Sequence, residues 1–373
     1  MINKIYSILK ILIFLFIFFI ASLYCFEFLL SKLDSISNPH ITSKNLDINK
    51  RFINFREHPL NLNKSFSASR FQLKDNPSLE GKKFIYKTDE NGFLLPGNRY
   101  ENSDLRIFFL GGSTTENLMV KDTNRFTFLV QNYLEDYKKK KINVYNSGRS
   151  KNNSIHSFNI LLNKVLNLNP THVFLMHNVN DYYSLLVQKE NSLFNLSSDV
   201  ERNQITEVIK EKEISYLKLR SFFFSNFPNI AIRVSALNQK YFLSDINKEN
   251  DPYTNISTQD VEIFFKEKIN ILKLYHQLSL IFKFELILIT QPHNYEIKKN
   301  DIFWERFNLN TKIHDRTNNL LREFANLNQL KFVDLAFYMN NKNEYFYDEI
   351  HYNDNGSKFV AKKIFETMKN DVR

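Results

Sequence analysis

A single cysteine, Cys25, stands in a chain of 373 residues. It lies inside an apolar N-terminal run, so no intramolecular disulfide can form and no cysteine-based structural zinc site can assemble. Nine histidines are present, none in an H-E-x-x-H or comparable pairing, which argues against a metal enzyme; no metal and no cofactor are expected. Glycine is sparse too, at seven residues, while Asn, Lys, Ile and Phe abound. Biased codon usage is the simplest cause, and it makes each surviving Gly informative, because Gly serves where a Cβ would obstruct the backbone. Aromatic and basic residues do not interleave as they do in nucleic-acid modules. No nucleic-acid partner is therefore expected, despite a formal net charge of +10. Lysine is read as the default solvated residue, and the tract Lys138 to Lys141 falls where a helix should end and cations suit the dipole.

What is present is a large apolar complement. Hydrophobic residues make up 43% of the chain, with 36 Phe and 18 Tyr, enough for a substantial core and unlike a disordered chain. Residues Ile11 to Phe26 form an uninterrupted apolar run, extending to Leu30 if Glu27 sits near an interface. Lys4 and Lys10 precede it, which places the N-terminus in the cytoplasm and the rest of the chain across the membrane. No A-x-A-like cleavage site follows the run, and the bulky Tyr24 before Cys25 argues against lipoprotein processing. One uncleaved transmembrane helix is expected, with everything after it extracytoplasmic.

Three regions follow from the patterning: a cytoplasmic stub and anchor over 1–30, a lead-in over 31–103 that wraps the domain, and a catalytic domain over 104–373. Short apolar runs at Leu105 to Leu110, Ile142 to Tyr145, His172 to Met176, Glu285 to Thr290 and Lys331 to Leu335 read as buried strands. Helical periodicity lies between them, at Phe126 to Leu134, Ile155 to Val165, Val261 to Leu272 and Leu320 to Leu327, and a closing helix begins near Ser357. Strand and helix in alternation imply a parallel open α/β sheet covered on both faces. The stretch at about 182–257 breaks this rhythm, is too long for an ordinary connection, and is read as an insertion.

Three segments carry chemistry. Gly111-Gly112-Ser113-Thr114-Thr115-Glu116 follows a strand and precedes a helix, so Ser113 falls where free N–H groups can steady negative charge; alone, the segment reads equally well as a helix cap with Glu116 closing a capping box. Asp348-Glu349-Ile350-His351 precedes the last helix, where Asp348 can orient His351 as the base that a hydroxyl nucleophile requires. Asn178-Val179-Asn180-Asp181 ends the third strand, and open α/β sheets bind ligands at the carboxyl ends of strands beside the switch point. The Asn180 amide can donate to an oxyanion there, or else close an Asx turn.

In this order the segments resemble the SGNH hydrolases, also called the GDSL esterase and lipase family. The first block of that family is matched by GGSTTE, with Gly112 in place of the commoner Asp. The second, Asn-x-Gly-x-x-Gly, is matched by Asn146-Ser147-Gly148-Arg149-Ser150-Lys151, the third by Asn178-Val179-Asn180-Asp181, and the fifth by Asp348 to His351 with the helix start that follows. The resemblance implies a flavodoxin-like three-layer α/β/α sandwich with a five-stranded parallel sheet. It also implies Ser113 as nucleophile, His351 as base and Asp348 as its orienter, with the oxyanion held by the N–H groups of Ser113 and Gly148, that of Lys151 where the family has its second Gly, and the Asn180 side chain. Asn178 replaces the third-block Gly, a difference that matters only at positive φ. His58-Pro59 and Asn91-Gly92-Phe93 resemble the segment preceding the first block in extracytoplasmic members and are read as structural; His177 and His293 are read as packed or solvated. The expected activity is hydrolysis of acyl esters on a glycan or lipid, with O-acyl transfer to an envelope glycan, or a catalytically silent glycan-binding protein, as the alternatives.

Overall fold

The computed structural model describes residues 2–33, 56–68, 73, 76–187, 226, 227, 230, 256–298 and 304–370. Most of the insertion expected at 182–257, and the lead-in before residue 56, lie outside them. The chain divides into two units, one of Met1–Asn38 with Arg202–Thr254, the other of Pro39–Glu201 with Asn255–Arg373.

In the first unit helix α1 spans Ile2–Leu33. Part of the insertion belongs to the same unit: the Tyr24 ring lies 4.8 Å from that of Phe227, and the Glu27 carboxylate accepts from the Ile230 N–H at 2.9 Å. Among the described residues no helix is long and apolar enough to cross a membrane.

The second unit opens with β1, Asn63–Ser67, and β2, Lys83–Lys87, an antiparallel hairpin within the lead-in. It encloses a small core of Phe66, Leu79, Phe84, Tyr86, Leu94 and Leu118. The domain proper then runs β3 (Leu105–Gly111), α2 (Ser113–Glu116), α3 (Phe126–Lys138), β4 (Ile142–Asn146), α4 (Ser154–Ile160), β5 (His172–Met176), α5 (Val179–Tyr182), α6 (Thr258–Phe282), β6 (Glu285–Ile289), α7 (Trp304–Leu327), β7 (Lys331–Val333), α8 (Leu335–Met339) and α9 (Asp354–Met368).

The five domain strands pair in parallel in the order β4-β3-β5-β6-β7. Alternation along each strand serves two cores. Phe108, Leu110, Val173, Leu175, Leu286 and Leu288 face α4, α6 and α7, where Phe264, Leu272, Tyr275 and Leu321 pack. Ile107, Phe109, Phe174, Met176, Ile287 and Ile289 face α3 and α9, against Val130, Leu134, Val360 and Ile364. Helices thus cover both faces of the sheet, as the strand runs without polar alternation require.

Two of the boundary differences from the sequence reading bear on how the elements end. The last strand stops at Val333 instead of Leu335, because the Asp334 side chain caps α8 by accepting from the Phe337 N–H and is held by Arg322 at 2.7 Å. The helix expected over Ile155 to Val165 is α-helical only to Ile160 and widens to a π turn over Leu161–Val165.

Candidate active site

From β3 the chain moves to β4 on one side, then crosses back to β5 on the other. The carboxyl ends of β3 and β5 therefore flank the switch point, where crossovers diverge and leave a crevice. Ser113 follows β3 and Asn180 follows β5.

Gly112, not Ser113, is the N-cap of α2, and no side chain caps that helix. Glu116 closes no capping box: its Oε2 instead accepts from the Ser150 N–H at 2.9 Å and from the Ser150 hydroxyl. Released from capping, Ser113 Oγ lies 2.7 Å from His351 Nε2. His351 Nδ1 lies 2.7 Å from Asp348 Oδ2, while Asp348 Oδ1 accepts from the backbone N–H groups of Ile350 at 3.0 Å and His351 at 2.7 Å. A carboxylate only accepts, so the imidazole proton sits on Nδ1 and Nε2 is left to accept from the Ser113 hydroxyl. The Tyr347 ring stacks on that of His351 at 5.6 Å with 7° between planes, fixing the ring from its face.

Burial pushes the Asp348 carboxyl up, but the His351 charge and the hydrogen bonds it receives outweigh this and hold it below its ordinary value. Burial pulls His351 down, and the Asp348 charge and hydrogen bond outweigh that in turn, raising it. The two shifts agree: each partner stabilises the charged form of the other.

The residues expected around an oxyanion meet in part. A Cβ on Gly112 would collide with Asn180 Nδ2, so only Gly lets the Asn180 amide approach the backbone that leads into Ser113. That amide also donates to Asn152 O at 2.8 Å. A Cβ on Gly148 would strike the Glu116 backbone nitrogen, which seats the second block directly against α2. The Gly148 N–H, however, donates to Asn146 Oδ1 at 2.9 Å. Gly148 is therefore not an open oxyanion donor as expected, because the Asn146 side chain forms an Asx turn over it. Lys151 has φ 65°, a left-handed conformation that accounts for the family's Gly at this position. Asn178 has φ −151°, so it replaces Gly without strain; its amide is spent on His314 O and Asn318 Oδ1, both at 3.0 Å.

His177 is buried and bonded to Ser157 Oγ at 2.8 Å, with burial pushing it down to about 3; His293 lies 3.0 Å from Asp315. Both are packed groups outside the Ser113 chain. Among the described residues no three His, Cys, Asp or Glu side chains group as metal ligands.

Three features escaped the sequence reading. Lys268, fully buried on α6, bonds Asp181, Ser154 Oγ at 3.0 Å and His177 O at 3.1 Å, and Asp181 also accepts from the Ser154 N–H at 2.6 Å. This pair ties the turn carrying Asn180 to the start of α4. Its signal was a Lys inside the apolar stripe of Phe264, Phe265, Ile271 and Leu272. Glu116, read as a cap, is a buried acid pushed up to about 7 by desolvation. His58, read as structural, bonds Gly148 O at 2.7 Å, a partner that the sequence did not indicate.

No family profile and no curated protein matches the chain. Solved structures similar to it include Axe2, an acetylxylan esterase from Geobacillus stearothermophilus (15% identity, 72% of this chain and 95% of that one, TM-score 0.40). A lipase/acylhydrolase from Enterococcus faecalis matches at 14% identity over 72% of this chain and 97% of the other, with a TM-score of 0.40. A member of the lipolytic G-D-S-L family from Veillonella parvula DSM 2008 matches at 13%, over 71% and 99%, with a TM-score of 0.41. At these identities and scores, the chemistry of the site has to be argued from its own atoms.

Proposed function

We propose that this chain is a serine ester hydrolase of the SGNH kind, with Ser113 as nucleophile, His351 as general base and Asp348 as the group that orients it. The observation that carries the reading is the unbroken chain from Asp348 Oδ2 through His351 to Ser113 Oγ, 2.7 Å at each link, at the switch point of the sheet.

As Ser113 Oγ attacks the acyl carbonyl carbon, its proton passes to His351 Nε2, and the ionised Asp348 stabilises the imidazolium. The carbonyl oxygen becomes an oxyanion facing the Ser113 N–H at the start of α2 and the Asn180 amide. The second hydrogen of that amide remains after its bond to Asn152 O. Collapse breaks the ester bond, and the departing alkoxide takes the proton from Nε2, leaving an acyl-enzyme. Water then repeats the sequence with His351 as base and releases the acid.

The substrate class proposed is an acyl ester on a glycan or lipid outside the cytoplasm, with α1 as membrane anchor. The Lys-flanked apolar run at 11–26 supports that placement. If a sugar hydroxyl replaces water in the second half-reaction, the same groups transfer the acyl group. The test is fluorophosphonate labelling of the detergent-solubilised chain together with hydrolysis of p-nitrophenyl acetate. Labelling confined to Ser113 and lost in Ser113→Ala is expected; an unlabelled wild type that hydrolyses no acyl ester overturns the reading. Added glycan alcohols that divert the acyl group from water mark transfer.

A further inference from the structure

Among the described residues of the lead-in, 56–58 make a run of polar contacts beside the site. They lie along the loop 148–152 that leaves β4. Arg56 donates to Ser150 O at 3.0 Å, Asn152 Nδ2 donates back to Arg56 O at 3.1 Å, and Arg149 donates to Glu57 O. His58 Nε2 lies 2.7 Å from Gly148 O and His58 Nδ1 lies 2.5 Å from Tyr86 Oη. A carbonyl only accepts, so Nε2 carries the proton and Nδ1 accepts from the tyrosine hydroxyl. Tyr86, on β2 of the hairpin, thereby sets the tautomer that lets His58 grip the loop. His58 and Tyr86 are both almost completely buried, so this linkage is shielded from competing water.

The same loop is held a second time from within the domain. Glu116 ends the short helix that Ser113 begins, and its Oε2 takes the Ser150 N–H and hydroxyl. The far end of the loop then sets a catalytic group, because Asn152 O is the acceptor that aims the Asn180 amide. The loop contains one left-handed residue, Lys151, and lies between strand β4 and helix α4. Backbone bonds from the Arg149 N–H to Gly111 O at 3.1 Å and from the Asn152 N–H to Arg149 O at 3.0 Å hold it as well, and the side-chain contacts add to them. Oxyanion donors act only within a few tenths of an ångström of 2.7–3.1 Å, and a misplacement of about 1 Å costs on the order of 100-fold in rate.

We propose that His58 and Glu116, whose Nε2 and Oε1 lie 3.8 Å apart, are positioning residues that together clamp the loop 148–152 and so set the Asn180 amide for the oxyanion, which makes the lead-in part of the catalytic apparatus. The inference rests on the reading of Ser113 as nucleophile and adds to it the claim that residues outside the 104–373 domain govern kcat. Tyr86 acts one step further back, through His58.

The test uses the full-length chain in detergent, p-nitrophenyl acetate as substrate, and fluorophosphonate titration to count competent sites. His58→Ala should lower kcat per titrated site about 10- to 100-fold, with KM within about twofold, as expected for a shifted transition-state contact. His58→Gln, whose amide can still donate to Gly148 O, should recover most of that loss. Ser150→Ala, at a partly exposed position, removes one bond to Glu116 and should lower kcat per site even if His58→Ala fails to fold. Wild-type kcat per site in Ser150→Ala or in a folded His58→Ala overturns the proposal. So does a loss carried by KM alone, or a His58→Gln no better than His58→Ala. A wild type in which Ser113 takes no label removes the nucleophile itself, an outcome distinct from a labelled enzyme indifferent to these substitutions.

Discussion

Asn180 Nδ2 lies 2.8 Å from the carbonyl oxygen of Asn152, so one hydrogen of the amide is fixed by the backbone just after the second block and the other is aimed by that bond. Truncation at this position therefore tests orientation and catalysis together. Asn180→Ala should lower kcat by about 10² to 10³ with little change in KM, since the contact strengthens in the transition state. Steady-state kinetics beside a thermal melt check it; full activity in a merely less stable variant would show that Asn180 only closes a turn.

Ser113→Ala should abolish hydrolysis of a short acyl ester, with a loss of many decades when a member of such a triad is removed, and leave the melt unchanged. Activity above roughly a tenth of wild type would contradict the covalent route.

The acid limb of kcat/KM should report His351, which must be neutral to act as base. Burial pulls its value down, yet Asp348 holds it above the ordinary 6.5, so activity should rise with pH through an apparent value above 6.5. Asp348→Asn removes the raising charge. Its acid limb should move to lower pH while the maximal rate drops about 10⁴-fold. An unmoved limb would place the titrating group elsewhere.

Glu116 offers a stability test with a defined sign. Desolvation raises its carboxyl from 4.5 to about 7. The folded state therefore holds its proton more tightly than the unfolded chain, and the associated stability is present below 4.5 and lost as pH rises through 7. The melting temperature of the wild type relative to Glu116→Gln should fall between pH 4.5 and 8. A difference that is flat with pH would mean Glu116 is ionised throughout.

At Lys151 the left-handed backbone costs a side-chain-bearing residue about 1–2 kcal/mol, offset in a Gly variant by about 0.5–1 kcal/mol of backbone entropy. Lys151→Gly should change stability by no more than about 1.5 kcal/mol and keep activity. Lys151→Val, β-branched at positive φ, should destabilise clearly. Chemical denaturation of both variants decides it, and a tolerated Val would refute the left-handed assignment.

Much of the architecture is decided by local pattern. Runs such as Leu105 to Leu110 and His172 to Met176 lack polar alternation, and that property alone marks strands buried on both faces. Helical periodicity between them then leaves few alternatives to a covered parallel sheet. The turn chemistry of Asp348 to His351 is equally local, since a carboxylate three residues before an imidazole can take its backbone N–H groups and its Nδ1 proton at once. Tertiary structure decided the rest. Ser113 and His351 are 238 positions apart and meet only because successive right-handed crossovers bring the carboxyl ends of β3 and β5 to the same crevice as the loop before α9. Whether Glu116 capped its own helix or gripped Ser150, and whether the Gly148 N–H stayed open or turned onto Asn146, depended on which donors packing brought nearest. Lys268 and His58 gain their roles from partners 87 and 90 residues away, and long-range juxtaposition of polar groups leaves no periodicity in a sequence.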